Sequence, residues 1–187
     1  MIGKNLGNVD AAGSYSRPGA GGYVISIIKV QNDKVKERID VEFDFYEGEF
    51  TGYYKDLYER RHFWAGKFSK SYKDKALPFF KGFLEAVVKS NDDTDGLIVG
   101  DYEDVDETKL VGKLVGMVVG EKEYIGNDGI KKVKLDTYNA LFVKVADIRS
   151  GNYEVPELIP LEETPTATGV IDTTAGFGPV SDSEIPF

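Results

Sequence analysis

The chain contains no cysteine among its 187 residues, which excludes disulfides, thiolate metal sites and cysteine nucleophiles. A single histidine, His62, leaves few side chains suited to acid–base catalysis near neutral pH. No apolar stretch approaches the roughly 18 residues of a membrane span, and the N-terminus lacks the basic start and apolar stretch of a signal peptide. We therefore expect a cytoplasmic protein that has no membrane partner and is not an enzyme.

Positive charge is missing from the last part of the chain. No lysine or arginine follows Arg149, whereas seven acids do: Glu154, Glu157, Glu162, Glu163, Asp172, Asp182 and Glu184. This segment is also rich in Pro, Thr and Gly and poor in hydrophobic residues, so it cannot offset the entropy lost on ordering. We predict that residues 154–187 form a disordered acidic tail and that the Gly-, Ala- and Ser-rich residues 1–22 form a flexible arm.

Hydrophobic periodicity between these two ends predicts a mostly β domain over residues 23–153. Residues 23–30 are strand-like, and residues 38–45 alternate strictly between apolar and acidic or basic side chains, which is typical of a half-buried strand. A third strand is expected near His62 to Phe68. The stretch LPFFKGFLEAVVKSN then predicts a helix, with Pro78 at a first-turn position and Asn91 at its end.

Residues 110–142 predict a second hairpin with its turn at the sequence GNDG. Glycines at positions 112, 116 and 120 fit a curved strand better than a tight helix face, because valine dominates the stretch. The order strand, strand, strand, helix, strand, strand is that of a five-stranded Greek-key barrel of the OB-fold type, with one helix between strands 3 and 4.

Aromatic and basic residues are interleaved over residues 53–83, which hold ten aromatic rings and eight cations. Single-stranded nucleic acid needs both, because cations neutralise phosphates and flat rings stack on bases. The acids Asp40, Glu42 and Asp44 on the second strand oppose this interpretation of the neighbouring surface. We predict DNA binding by residues from this stretch and from the second hairpin: Arg60, Arg61, Trp64, Lys67, Phe68, Lys70, Tyr72, Tyr124, Lys131 and Lys132.

Two acidic patterns suggest metal chemistry, and neither is complete. The loop NDDTDGLIVGDY resembles a calcium-binding EF-hand loop, but Tyr102 stands at the last ligand position, where a bidentate Glu is needed. Glu107 in the sequence Glu107-Thr108-Lys109, with Asp101 or Asp104 ahead of it, suggests a metal-dependent nuclease, but no second acid sits on a recognisable strand beside it. We therefore expect no metal and no cofactor, and the nuclease remains an alternative function.

The chain ends in DSEIPF, and an exposed terminal phenylalanine suits a partner's pocket better than it suits this protein's own surface. Basic residues around such a pocket would hold the terminal carboxylate, Asp182 and Glu184, and Pro186 lowers the entropy lost on docking. This tip resembles that of bacterial and phage single-stranded DNA-binding proteins, which typically end in a run of Asp followed by Ile-Pro-Phe. Here Ser183 interrupts the acids and Glu184 replaces an Asp.

Stretches of the body, including PGAGGYVISI, EGEFTGYY, FFKGFLEAV and SGNYEVPEL, resemble small replication-associated proteins of phages and prophages. The resemblance implies non-catalytic protection of single-stranded DNA during replication or recombination in the cytoplasm of a bacterial host cell. It also implies that replication or recombination proteins bind the tip residues Asp182, Glu184, Ile185, Pro186 and Phe187. An accessory protein that binds proteins or duplex DNA is an alternative, and a homo-oligomer is compatible with either function.

Overall fold

A five-stranded antiparallel sheet forms the centre of the protein, which a computed structural model describes over residues 16–161. In the order in which they pair, its strands are Lys67–Ser71 (β3), Arg38–Phe45 (β2), Gly21–Asp33 (β1), Leu114–Val119 (β6) and Leu141–Val143 (β9). Two further ladders have two strands each, Ile98–Val99 (β4) with Asp104–Val105 (β5) and Glu121–Ile125 (β7) with Lys131–Leu135 (β8). The predicted mostly β architecture is confirmed.

The predicted alternation in β2 is confirmed, and it produces the core of the sheet. Ile39, Val41 and Phe43 are at most 1% exposed, whereas the residues between them point outward and are partly exposed. Burial of each such side chain is worth about 1.5–3 kcal/mol. β1 pairs with β2 over most of its length, and an irregularity between Ile27 and Lys29 bends it. β1 also pairs with β6 through its first half.

Within residues 16–161, three α-helices accompany the sheet, namely Tyr53–Arg61 (α1), Leu77–Val88 (α2) and Val145–Ser150 (α3). Helix α2 is the predicted helix, with Pro78 in its first turn. It ends at Val88, shortly before the predicted end at Asn91, whose amide donates to the carbonyl oxygen of Val87 at 2.7 Å. No helix within residues 16–161 is long and apolar enough to cross a membrane.

Helix α1 is a correction to the sequence analysis, which placed a third strand near His62 to Phe68. The helix ends at Arg61 and β3 begins only at Lys67. The Asp44 carboxylate accepts hydrogen bonds from the backbone N–H groups of Tyr54 (2.9 Å) and Lys55 (3.0 Å), which stabilises the first turn of α1. This stabilising acid lies ten residues before Tyr54, so no local sequence pattern indicates it.

Glycine at position 66 lets the chain pass from α1 into β3. A Cβ atom at Gly66 would lie 2.4 Å from both the Phe43 carbonyl oxygen and a ring carbon of Tyr54. Gly116 has a similar role in β6, where a Cβ atom would lie 2.7 Å from the Ile148 side chain of α3. The interpretation of the 110–120 glycines as part of a strand is therefore confirmed for Gly116.

The second predicted hairpin divides into two sheets. The turn at Gly126 to Gly129 and the pairing of β7 with β8 are confirmed. The predicted long strand is interrupted at Gly120, however. Its first part, β6, pairs with β1 and β9 in the main sheet and not with β8. The hairpin of β7 and β8 is consequently an insertion between the last two strands of the main sheet.

The main sheet curls until its edge strands β3 and β9 approach each other. The rings of Phe68 and Phe142 lie 4.8 Å apart between centroids, and the Lys70 ammonium lies 3.3 Å from the Ala140 carbonyl oxygen. Side chains therefore bridge the seam between the two edges. The partly closed sheet encloses one core, which α2 covers through Phe83 and Leu84.

The folded body continues beyond residue 153, where the sequence analysis placed the start of the disordered tail. Ile159 pairs in parallel with Lys122 of β7. The Ile159 N–H donates to the Glu121 carbonyl oxygen at 2.9 Å, and the Glu123 N–H donates to the Ile159 carbonyl oxygen at 3.0 Å. Residues 154–161 are thus a part of the body, and most of the predicted arm and tail, residues 1–15 and 162–187, lie outside the described residues.

Candidate nucleic-acid interface

Strand β3 separates residues that the sequence analysis assigned to one groove, because successive side chains of a strand point to opposite faces. Phe68 points into the core, is 4% exposed, and contacts the rings of Phe43, Phe83 and Phe142. Its ring cannot stack on a base in this arrangement, so we remove Phe68 from the predicted set. Lys67, the preceding residue, points to the outer surface.

Lys70 lies on the same face of β3 as Phe68 and is held at the seam of the sheet, and Tyr72 directly follows β3. The Lys70 ammonium lies 4.5 Å from the centroid of the Phe142 ring, and burial lowers the pKa of Lys70. Tyr72 donates a hydrogen bond to Asn32 Oδ1 at 2.8 Å, and desolvation raises the pKa of its hydroxyl. Both side chains are therefore engaged in intramolecular contacts.

The outward-facing polar residues of β1, β2 and β3, here called the outer face, carry charges of both signs. Lys67 pairs with Glu42 at 3.1 Å, and Arg38 pairs with Asp40 at 3.1 Å. The face has three cations and three acids, so it offers little net attraction for phosphate groups. It consists of Lys29, Gln31, Asp33, Arg38, Asp40, Glu42, Lys67 and Ser69.

One face of the β7–β8 hairpin is different, and we call it the basic hairpin face. Tyr124 is paired across the hairpin with Lys132, and Lys122 is paired with Lys134, so these four side chains share a face. The Lys134 ammonium lies 4.8 Å from the centroid of the Tyr124 ring. Lys131 is paired with Ile125 and therefore lies on the opposite face, which separates it from Tyr124 and Lys132, with which it was predicted to act.

Two of the three cations on the basic hairpin face have carboxylate partners. Lys132 pairs with Asp128 at 2.6 Å and Lys122 pairs with Asp136 at 2.6 Å. The hydrogen bond from Lys132 lowers the pKa of Asp128. Within the described part of the chain, no carboxylate pairs with Lys134, which the predicted set omitted. Its alternation with Lys132 in the sequence KKVKL was the signal that pointed to it.

Exposed cations and rings also occur at the end of α1 and in the loop that follows it. Arg60 and Arg61 are exposed at the C-terminal end of α1, where the helix dipole favours positive charge. Phe63 is 62% exposed, and the sequence analysis did not select it. Trp64 is half-buried, with its indole N–H donating to the Gly66 carbonyl oxygen at 3.1 Å. Phe63 therefore takes the place of Phe68 in the set of residues considered for DNA binding.

A hydrogen bond connects the hairpin region to the start of β3. The Thr137 hydroxyl, two residues after β8, donates to the Lys67 carbonyl oxygen at 2.9 Å. Tyr138, the next residue, is 73% exposed. We call the basic hairpin face, Tyr138 and the segment from Arg60 to Trp64 together the candidate interface. It combines the lysines of the hairpin face, of which Lys134 has no carboxylate partner among residues 16–161, with four partly or fully accessible rings, those of Tyr124, Tyr138, Phe63 and Trp64.

Asn91 and Glu107, from the two acidic patterns that suggested metal chemistry, make hydrogen bonds within the protein, and Asp101 lies apart from them. Besides its bond to Val87, the Asn91 amide donates to the Leu114 carbonyl oxygen at 2.8 Å. Glu107 accepts a hydrogen bond from the Asn32 amide at 2.9 Å, and Asp101 lies exposed in a turn. Within residues 16–161, no group of three or more potential metal-binding side chains converges.

No protein-family model matches the chain, and no curated protein matches its sequence. The candidate interface is therefore interpreted from its own side chains. The predicted partner-binding residues lie outside the described residues and remain a prediction from the sequence: Asp182, Glu184, Ile185, Pro186 and Phe187.

Proposed function

We propose that the protein binds and protects single-stranded DNA, without catalysis, during phage or bacterial DNA replication or recombination. The contact that carries this proposal is the Lys134 ammonium against the Tyr124 ring, beside Lys132 on the same face. A cation held next to an accessible ring offers a phosphate and its neighbouring base adjacent partners. Such pairing binds single strands of any sequence, because every base has a flat face and every nucleotide carries a phosphate.

The fold that we infer is an OB-type barrel. The strand order β3-β2-β1-β6-β9, with α2 between β3 and β6, is compatible with that class. In OB-folds, the loop between the last two strands flanks the surface that binds oligonucleotides. The β7–β8 hairpin occupies this connection here, which supports its assignment to DNA binding.

The acidic balance of the chain is compatible with this function because the charges are segregated. The net charge is −9, but the seven acids after Arg149 contribute most of it. We propose that the tip at residues 182–187 recruits replication or recombination proteins, with the Phe187 ring in a pocket and the carboxylates against basic residues. The body and the tip would then have separate partners.

A titration with oligo-dT tests the proposal, with the fluorescence of Trp64, the only tryptophan, as the readout. Trp64 lies in the loop that belongs to the candidate interface, so DNA bound there should change its emission. Tyr124→Ala is expected to weaken binding about 5- to 150-fold, because stacking contributes roughly 1–3 kcal/mol per base. Tyr46→Ala is the matched control, since Tyr46 is 52% exposed after β2 and outside the interface.

Equal affinities for the Tyr124→Ala and Tyr46→Ala variants would refute the assignment of the interface. Addition of unlabelled duplex as a competitor separates this function from that of an accessory protein, because a single-strand binder keeps its oligo-dT under duplex excess. Magnesium-dependent cleavage of the oligonucleotide that is lost in Glu107→Ala would instead establish the nuclease alternative.

A further inference from the structure

The β7–β8 hairpin carries a third extended segment along the free edge of β7. Residues 157–161, here called the edge segment, run beside this strand, and Ile159 is in parallel register with Lys122. The Ile159 backbone makes both hydrogen bonds of this pairing, one with Glu121 and one with Glu123. Residues in register on neighbouring strands point to the same face of a sheet. The Ile159 side chain is therefore added to the basic hairpin face, beside Lys122.

The edge segment is held in place near both of its ends. A Cβ atom at Gly120 would lie 3.1 Å from the Pro156 side chain and 3.1 Å from its carbonyl oxygen, so the missing side chain gives the segment room where it begins. At the other end, the Leu161 N–H donates to Glu123 Oε2 at 2.9 Å. Ile159 is 44% exposed in this arrangement. An apolar side chain thus lies open to solvent on a face that is otherwise basic and aromatic.

The opposite edge of the hairpin, strand β8, is positively charged through two lysines of the basic hairpin face. The Val133 carbonyl oxygen points away from β7, because Glu123, its partner across the hairpin, forms its backbone hydrogen bond with Ile159 instead. This oxygen accepts a hydrogen bond from the Arg17 guanidinium at 3.1 Å. The sequence analysis placed Arg17 in the flexible arm. The structure brings it to the outer edge of β8 as a further cation.

The acids around this small sheet increase the difference between its two edges. Glu157 of the edge segment is exposed, and two more glutamates directly follow the segment in the sequence. On the hairpin, Asp128 and Asp136 are paired with lysines, and Glu121 and Glu123 point to the opposite face. Positive charge therefore lies along β8, whereas the other edge is apolar and acidic.

We propose that this difference orients a bound single strand, with its phosphates along the β8 edge and its bases across Tyr124 toward Ile159. The inference rests on the proposed function. A single strand is itself divided into a charged backbone and flat bases. Arg17 would contact a phosphate, and the acids of the edge segment would repel one. Ile159 would offer an apolar contact to a base that reaches beyond the Tyr124 ring.

Two neighbouring residues provide a matched pair of substitutions in the full chain. Leu158 is 48% exposed, and because it precedes Ile159 its side chain points to the opposite face. The anisotropy of fluorescein-labelled oligo-dT at low salt measures the affinity. Ile159→Ser should weaken binding about fivefold, since an apolar contact with a base is lost. Leu158→Ser should bind within about twofold of the parent chain.

A strand of the same length and charge that lacks its bases separates the two proposed contacts. Ile159→Ser should bind this abasic strand as tightly as the parent chain does, which also shows that its hairpin is folded. Arg17→Ala should weaken binding of the intact and the abasic strand by the same factor, about threefold, and reduce the log–log salt slope by roughly 0.7. Ile159→Ser should leave that slope unchanged, because no charge is removed.

Equal oligo-dT affinities for Ile159→Ser and Leu158→Ser would overturn this orientation. It would also be overturned by an equal loss for Ile159→Ser on both strands, or by an Arg17→Ala variant that binds the abasic strand like the parent chain. In each of these cases the parent chain still binds oligo-dT, so the proposed function stands. A parent chain that does not bind oligo-dT would refute the proposed function and the orientation together.

Discussion

The outer face of β1, β2 and β3 and the basic hairpin face are both half-exposed β surfaces with three cations each. On the outer face, the cation Lys29 is paired across the strands with Glu42, and Arg38 with Asp33. On the hairpin, Lys122 is instead paired with Lys134. Like charges directly opposite each other destabilise a strand pair. A surface that retains such a pair is suited to an anionic ligand, so cross-strand register distinguishes the two faces better than the number of cations does.

The largest expected effect comes from substitution of Asp44. The alternation of β2 in the sequence places this acid on the outer face, but it is buried in the structure. Asp44→Ala should lower the free energy of unfolding by about 2–3 kcal/mol, because the buried N–H groups of Phe45 and Tyr54 and the partly buried N–H group of Lys55 lose their acceptor. Asp40→Ala, at a partly exposed ion pair, should cost less, about 1 kcal/mol. Urea unfolding measures both. Equal losses would show that Asp44 is an ordinary member of the outer face.

The next effect compares the two faces directly. Lys132→Ala combined with Lys134→Ala should weaken oligo-dT binding about tenfold at low salt and reduce the log–log salt slope by roughly 1.4, at about 0.7 per phosphate. Lys29→Ala combined with Lys67→Ala removes the same charge from the outer face. We expect this control to change affinity less than about threefold, because the acids Asp33, Asp40 and Glu42 already balance the three cations of the outer face. A larger loss of affinity in the control would indicate that DNA binds to the outer face and not to the basic hairpin face.

The smallest expected effect concerns the base of the hairpin at low pH. Burial alone would raise the pKa of Asp136, but hydrogen bonds from Lys122 and Asn139 outweigh it and hold the pKa below its usual range. Asp136 therefore contributes stability that is present above its unfolded pKa of about 3.9 and is lost as the pH falls below that value.

Urea midpoints at pH 6 and pH 3 measure this contribution. Asp136→Asn should reduce the loss of stability between these pH values by an amount of order 1 kcal/mol relative to the parent chain. Asp128→Asn, at the exposed Lys132 pair, provides the comparison and should have a smaller effect. An identical pH dependence in the parent and Asp136→Asn chains would contradict a role for this carboxylate in anchoring the hairpin.

Local sequence patterns predicted the elements in which the spacing of apolar or turn-forming residues matches the observed structure. The alternation of residues 38–45, the helical spacing of α2 and the turn at Gly126 to Gly129 are all visible in the sequence and present in the structure. Helix α1 was missed because it buries only Tyr54, so it has no apolar stripe. The assignment of Phe68 to the predicted groove was wrong for a related reason: Phe68 falls on the inner side of β3, and composition does not reveal that orientation.

By itself, the sequence determined that the apolar side chains of β2 enter the core, because periodic burial is a property of neighbouring residues. It also determined the segregation of negative charge toward the C-terminus. The tertiary structure decided that Asp44 stabilises α1, that Lys134 lies against Tyr124, and that Lys131 is separated from Lys132 by the register of the hairpin. These outcomes depend on strand pairing and on contacts between residues distant in the chain, and only the complete packing of the domain sets those.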